Sequence, residues 1–130
     1  MRILLDTHIF LWYITGDPRL PAPVVTLIRD PANEVYLSVV SVWEAMVKYQ
    51  LGKLPLPQPP ETYVPQQRQR HQMESLPLDE ESVTNLAQLP ALHKDPFDRM
   101  LLCQAIHHGL TIASTDHAVR AYSAQVSVIP

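Results

Sequence analysis

The chain has 130 residues, 46% of them hydrophobic, and a formal net charge of −3. That size and composition suit one domain over residues 1–130 with one core and exclude a disordered chain. No apolar run reaches the length of a membrane-spanning helix, so no membrane partner is expected. The acidic balance excludes a protein that grips nucleic acid through a broad basic surface. It leaves room for a nuclease whose metal ions supply the positive charge, with modest substrate affinity or help from a partner.

In chain order, Ile3, Leu4 and Leu5 form a short apolar run that reads as a strand buried on both faces, closed by Asp6. HIFLWYI continues as a helix packed on the sheet until Gly16-Asp17-Pro18 breaks it. Pro21 and Pro23 make the next segment start irregularly, and VVTLIRD reads as a helix end closed by Pro31. VYLSVV reads as a second strand, β-branched, aromatic and short. Ser41-Val42-Trp43-Glu44 has the spacing of a capping box, followed by a helix that Gly52 terminates.

LPLPQPPETYVP reads as a proline-dense loop leading into a polar helix over QQRQRHQM. ESLPLD reads either as a brief third strand or as a turn, and ESVTNLAQL as a moderate amphipathic helix. HKDPFDRMLLCQAIHHG has clear helix boundaries: Asp95 as N-cap, Pro96 in the first position, Gly109 at the end. LTIAS follows as a strand, Asp116 opens a last short helix, and VSVIP reads as an edge strand. Alternating strands and helices predict an α/β fold with a mostly parallel sheet.

Four acids stand out in this pattern: Asp6, Glu44, Asp98 and Asp116. Each follows a predicted strand or opens a predicted helix. In an open parallel α/β sheet the turns after the strands lie at one edge, where ligands bind. Each acid alone has a bland account, as a helix cap, as half of the Ser41 capping box, or as a charge favoured near a helix N-terminus. Together they are a costly cluster of like charge unless a cation sits among them, or unless one or more holds a proton. Oxygen ligands of this kind suit one or two hard ions, Mg²⁺ or Mn²⁺, and such sites commonly act on phosphate esters.

LLDTHIFLW, SVWEAMVKYQLGKL and HKDPFDRMLLCQA, followed by a strand and Ser114-Thr115-Asp116, resemble in order the pattern of PIN-domain proteins, and within them the VapC-type toxins of toxin–antitoxin pairs. The resemblance runs from Arg2 to about Tyr122. It implies a three-layer α/β/α fold with a mostly parallel central sheet and carries the family's metal-binding and catalytic acids onto Asp6, Glu44, Asp98 and Asp116. It also implies single-stranded RNA as substrate, products with 5′-phosphate and 3′-hydroxyl ends, a VapB-like antitoxin that blocks the acidic cleft, and a homodimer. The family's Thr-x-Asp element stands here as Ser114-Thr115-Asp116, keeping a hydroxyl two residues before the acid, placed to hydrogen-bond a carboxylate or a water on the ion.

Several neighbours are candidate supporting residues. Asp95 is read as its helix's cap, the alternative being an outer contact to the metal site. Arg99 either pairs with a carboxylate of the quartet, holds a phosphate, or serves a structural ion pair. Lys48, four residues after Glu44, either pairs with it on one helix face or reaches substrate phosphate. His8 and His117 adjoin quartet acids and are secondary candidates. His93 is read as shaping the turn before Asp95, while His107 and His108 suit a helix C-terminus. Trp12, Tyr13 and Trp43 read as core or partner interface rather than base-stacking groups. Cys103, the one cysteine, reads as a small core hydrophobe in a reducing, cytoplasmic setting. The rival functions are a phosphatase or phospho-accepting domain of α/β type, which lacks here the second acid expected two residues after Asp6, and a non-catalytic binding module.

Overall fold

β1 (Arg2–Leu5) lies at the centre of the sheet because its apolar residues have cover on every side. It pairs in parallel with β2 (Glu34–Ser38) on one edge and with β4 (Thr111–Ala113) on the other. The computed structural model describes residues 1–130 and completes the sheet with β3 (Glu74–Leu76) beside β2 and β5 (Val128–Ile129) beside β4. The order is β3-β2-β1-β4-β5, with every pairing parallel.

The period-2 alternation of a strand divides the core in two. Leu4 and Ile112 face one cluster, which includes Leu101, Leu102 and Cys103 of α6 (Pro96–His108) and Val119 of α7 (His117–Arg120). Ile3, Leu5 and Ala113 face the other cluster. There they meet Ile9 and Phe10 of α1 (Thr7–Thr15), Val24 and Ile28 of α2 (Ala22–Arg29), and Val64 of α4 (Pro60–Arg70). α3 (Val39–Gln50) contributes Val40 to the first cluster and Ala45 to the second. The result is the three-layer α/β/α arrangement expected from the sequence.

Several boundaries differ from the sequence reading. The strand read over VYLSVV ends at Ser38, and Val39 and Val40 already belong to α3. Ser38 is the N-cap: its Oγ accepts from the Val40 N–H at 2.9 Å. Ser41 and Glu44 therefore form no capping box. They lie inside the helix, both buried and one turn apart on the face turned toward Thr7. The proline-dense segment is not all loop, because α4 starts at Pro60, with Pro59 as an extended N-cap. A proline suits the first helical position, and Pro65 further in removes one intrahelical bond without ending the helix. ESLPLD contains a true edge strand, β3, paired with β2. ESVTNLAQL makes only a five-residue α5 (Glu80–Thr84) and a single 3₁₀ turn. α6 matches its predicted limits, closed by Gly109 at φ 65. No helix is long and apolar enough to cross a membrane.

Candidate metal centre

In a parallel sheet of this order the strand sequence reverses between β1 and β4, and the crevice outside their C-terminal ends is where ligands bind. Asp6 and Ser114 are the residues that follow these two strands. The ladder holds Asp6 there, since its N–H bonds to the Ala113 carbonyl at 3.0 Å. Asp6 caps α1, with Oδ1 accepting from the Thr7 N–H at 2.8 Å. Its Oδ2 accepts from Ser114 Oγ at 2.6 Å and lies 3.3 Å from His8 Nδ1. The other His8 nitrogen lies 3.1 Å from Thr115 Oγ1.

Glu44 reaches the same crevice from the second turn of α3. Thr7 Oγ1 donates to Glu44 Oε1 at 2.7 Å and lies 2.9 Å from Ser41 Oγ. Glu44 Oε2 pairs with the Lys48 ammonium one turn on. Asp98 arrives in the first turn of α6, which Asp95 caps by accepting from the N–H groups of Phe97 and Asp98. Asp98 Oδ2 lies 2.9 Å from His93 Nε2. Asp116 caps α7 by accepting from the Ala118 N–H, and its own N–H donates to Ser114 Oγ. Donor atoms of His93, Asp98 and Asp116 all lie within 4.8 Å of one another.

The electrostatics agree with a shared hollow. Asp6, Glu44 and Asp98 are 2%, 4% and 8% exposed. Burial pushes the Asp98 carboxyl up to about 7; the charges of Asp6, Asp95 and Glu44 add to this, and His93 works against it. Burial also raises Asp6, opposed by His8 and by the hydrogen bonds from Ser114 and Thr7, while the Glu44 charge reinforces the rise. Burial works against the Lys48 ammonium, but Glu44, Asp95 and Asp98 outweigh it and hold the amine charged. Burial and mutual repulsion together raise these carboxyls. The carboxylates of Asp6, Glu44 and Asp98 feel one another's charge, and Lys48 pairs with Glu44 beside them.

The structure thus brings Asp6, Glu44, Asp98 and Asp116 to one edge. It gives Ser114 and Thr115 direct contacts within the group, and makes Asp95 a cap and Lys48 a partner of Glu44. Arg99 forms no ion pair with the four acids. Its Nη1 donates to the carbonyls of Pro90 and His93 and to the Tyr122 hydroxyl, because it faces the loop before α6 rather than the acids. His93 does more than shape a turn, since its ring touches Asp98. The sequence reading gives Ser41 only a cap's role and does not single out Thr7. Their signals lie in the spacing: Thr7 adjoins Asp6, and Ser41 sits three residues before Glu44 on one helix face. Trp43 is 54% exposed, with its ring edge against Phe97, so it is not core. A groove of about 640 Å³ is lined by Arg29, Glu34, Arg70 and His71 among others, and holds none of Asp6, Glu44, Asp98 and Asp116.

A carboxylate-lined crevice at the switch point of an all-parallel, three-layer α/β sheet places this chain among α/β proteins with an acidic ligand crevice. The sequence matches the PIN domain over residues 3–124, and the chain belongs to that family. It is 42% identical over 57 residues to Ribonuclease VapC16 of Mycobacterium tuberculosis, a stretch covering 41% of this chain and 40% of that protein. Among solved structures it is similar to VapBC2 from Rickettsia felis bound to a DNA fragment from its promoter, at 15% identity and a TM-score of 0.73, covering 99% of this chain and 98% of that one. It is also similar to VapBC-5 from Mycobacterium tuberculosis, a member of the VapBC family of toxin-antitoxin systems, at 19% identity and a TM-score of 0.61, covering 98% and 95%. At these identities the solved structures support the fold.

Proposed function

We propose that this chain is a Mg²⁺- or Mn²⁺-dependent endoribonuclease that cleaves single-stranded RNA, and the toxin of a toxin–antitoxin pair. The observation that carries the reading is the convergence of Asp6, Glu44, Asp98 and Asp116 on the crevice between β1 and β4. The partial match to a ribonuclease of the VapC type and the likeness to VapBC structures support the substrate class and the pairing. On this reading residues 1–130 act as one PIN domain, located in the cytoplasm. A VapB-like antitoxin covers the acidic crevice, and the toxin pairs as a homodimer.

The four acids hold one or two ions. When bound, the ions supply Lewis acidity for in-line attack of water on phosphorus and positive charge for the departing oxygen. The chain's own residues set the stage. Ser114 and Thr7 fix the carboxylates of Asp6 and Glu44 in direction, so that little reorganisation is needed during the reaction. Asp95 holds the first turn of α6 and with it Asp98. Lys48 balances the charge of Glu44.

The test is incubation of defined single-stranded RNAs with Mn²⁺, with and without chelator, using wild type beside Asp6→Asn. Metal-dependent, chelator-sensitive cleavage by wild type alone is expected. Equal cleavage by folded Asp6→Asn protein overturns the reading.

A further inference from the structure

At the far end of α6 the chain assembles a second set of donor atoms that the nuclease reading does not use. His107 and His108 form the last turn of α6, and Asp79 caps α5. A ring nitrogen from each histidine and a carboxylate oxygen of Asp79 all lie within 4.8 Å of one another. Ten residues of helix, on the order of 15 Å at the α-helical rise, separate His108 from Asp98. This cluster therefore lies at the opposite end of the strands from the acids.

The cluster has ion-pair distances but not the aim of a hydrogen bond. His108 Nε2 is 3.2 Å from Asp79 Oδ2, yet it is shielded from solvent and has no hydrogen-bond partner. An imidazole bonded to a carboxylate aims its N–H at the oxygen. Two ligands of one ion instead aim their lone pairs at a common point, and their separation is the edge of a coordination tetrahedron. With zinc–nitrogen and zinc–oxygen distances of about 2.0–2.1 Å that edge is about 3.3 Å. His107 Nε2 stands 3.9 Å from the same oxygen, and its side chain, 35% exposed, is free to close the remaining few tenths. The carboxylate is already oriented, because Asp79 Oδ1 accepts from the Ser82 N–H at 2.9 Å.

We propose that Asp79, His107 and His108 form a three-ligand site for a borderline divalent cation, Zn²⁺ foremost, with the fourth position left to water. Two imidazoles and one carboxylate favour such an ion over Mg²⁺, whereas the other end, where four carboxylates outnumber the single His93 imidazole, favours Mg²⁺ or Mn²⁺. The two sites are therefore chemically separable. An ion here ties the start of α5 to the end of α6. Its ligands must be deprotonated, so it is released on acidification.

The experiment titrates Zn²⁺ into the full chain with Mg²⁺ in excess to occupy the acids. It follows binding by calorimetry and the imidazole nitrogens by ¹⁵N NMR, in wild type, His107→Gln, His108→Gln and Asp79→Asn. Asparagine retains the helix cap, so the last variant keeps the fold. One Zn²⁺ per wild-type chain is expected, with the Nε2 resonances of His107 and His108 displaced. Affinity should fall at least about tenfold in each variant, given that even outer contacts to a bound metal matter this much. RNA cleavage in Mg²⁺ stays unchanged in all three variants, so failure here leaves the nuclease reading standing. Zn²⁺ uptake that both histidine variants retain overturns the proposal. So do imidazole resonances that stay in place when Zn²⁺ is added, which mark the cluster as an ion pair only.

Discussion

Ser114 and Asp6, 108 positions apart in the chain, share a 2.6 Å hydrogen bond across the seam where β4 lies beside β1. The serine hydroxyl does two things there. It donates to the Asp6 carboxylate and accepts the backbone N–H of Asp116, linking two acids of the group through one oxygen.

Ser114→Ala removes that link. A buried hydrogen bond to a charged group is worth about 1.5–3 kcal/mol, and a loss of this order is expected in chemical denaturation at neutral pH. The Asp6 carboxyl, which the hydroxyl helps to hold down, moves further up. Ser114→Thr keeps the hydroxyl and should retain wild-type stability and cleavage; a Thr variant as impaired as Ala means that the hydroxyl is not what matters.

Asp98 sets the pH dependence of the ion-free protein. Its folded value is about 7, against an unfolded value near 3.9. Between the two, the folded chain holds a proton that the unfolded chain has released, so stability falls as pH rises through that window. Asp6, raised in the same direction, adds to the slope. Ion-free wild type should therefore be more stable at pH 5 than at pH 8, by on the order of 2 kcal/mol after discounting for solvent screening. Asp98→Asn should flatten the curve, match or exceed wild type at pH 8, and lose metal-dependent cleavage. Denaturant midpoints across pH give the comparison, and a variant as steep as wild type removes Asp98 from the explanation.

Divalent ions should reverse that destabilisation. Mg²⁺ or Mn²⁺ at a hundred times its dissociation constant stabilises a folded protein by about 2.7 kcal/mol. A melting-temperature rise of corresponding size is expected at pH 8, cancelled by chelator and absent from the Asp6→Asn, Asp98→Asn double variant. A rise that survives in the double variant locates the binding elsewhere.

The loop before α6 offers a test of preorganisation. The Tyr122 hydroxyl accepts from the N–H groups of Leu92 and His93 and donates to the Pro90 carbonyl at 2.6 Å. Tyr122→Phe strips these bonds while keeping the ring in the core. A loss of about 1–3 kcal/mol is expected, with faster amide exchange at Leu92 and His93 and weaker cleavage, because His93 is the partner of Asp98. Unchanged exchange at those two amides shows that the loop is held by something else.

The sheet and the acids were legible because their signals are local. Ile3–Leu5 carries the apolar run of a strand with cover on both faces, and Asp95, Pro96 and Gly109 mark α6 at both ends. What sequence reading missed depends on contacts between distant segments. Ser41 and Glu44 have a capping box's spacing, yet Ser38 takes the cap and frees Ser41 to meet Thr7, 34 positions away. Pro60 and Pro65 weigh toward loop by propensity, but burial of Val64 against the sheet overrides it. Arg99 follows a site acid in sequence, but on a helix adjacent residues point about 100° apart, so it turns to the Pro90–His93 carbonyls instead.

If the acidic crevice binds cations as proposed, the Lys48 ammonium paired with Glu44 would make it choosy about its occupants. Any incoming cation must compete with an amine tethered nearby by a short aliphatic stem, which is present at a high effective concentration whatever the solution contains. Potassium or sodium, offering one charge for one charge, gains little by the exchange. An ion of double charge draws on several oxygens at once, so on the proposed reading the tethered amine would act as a valence filter in favour of a divalent ion.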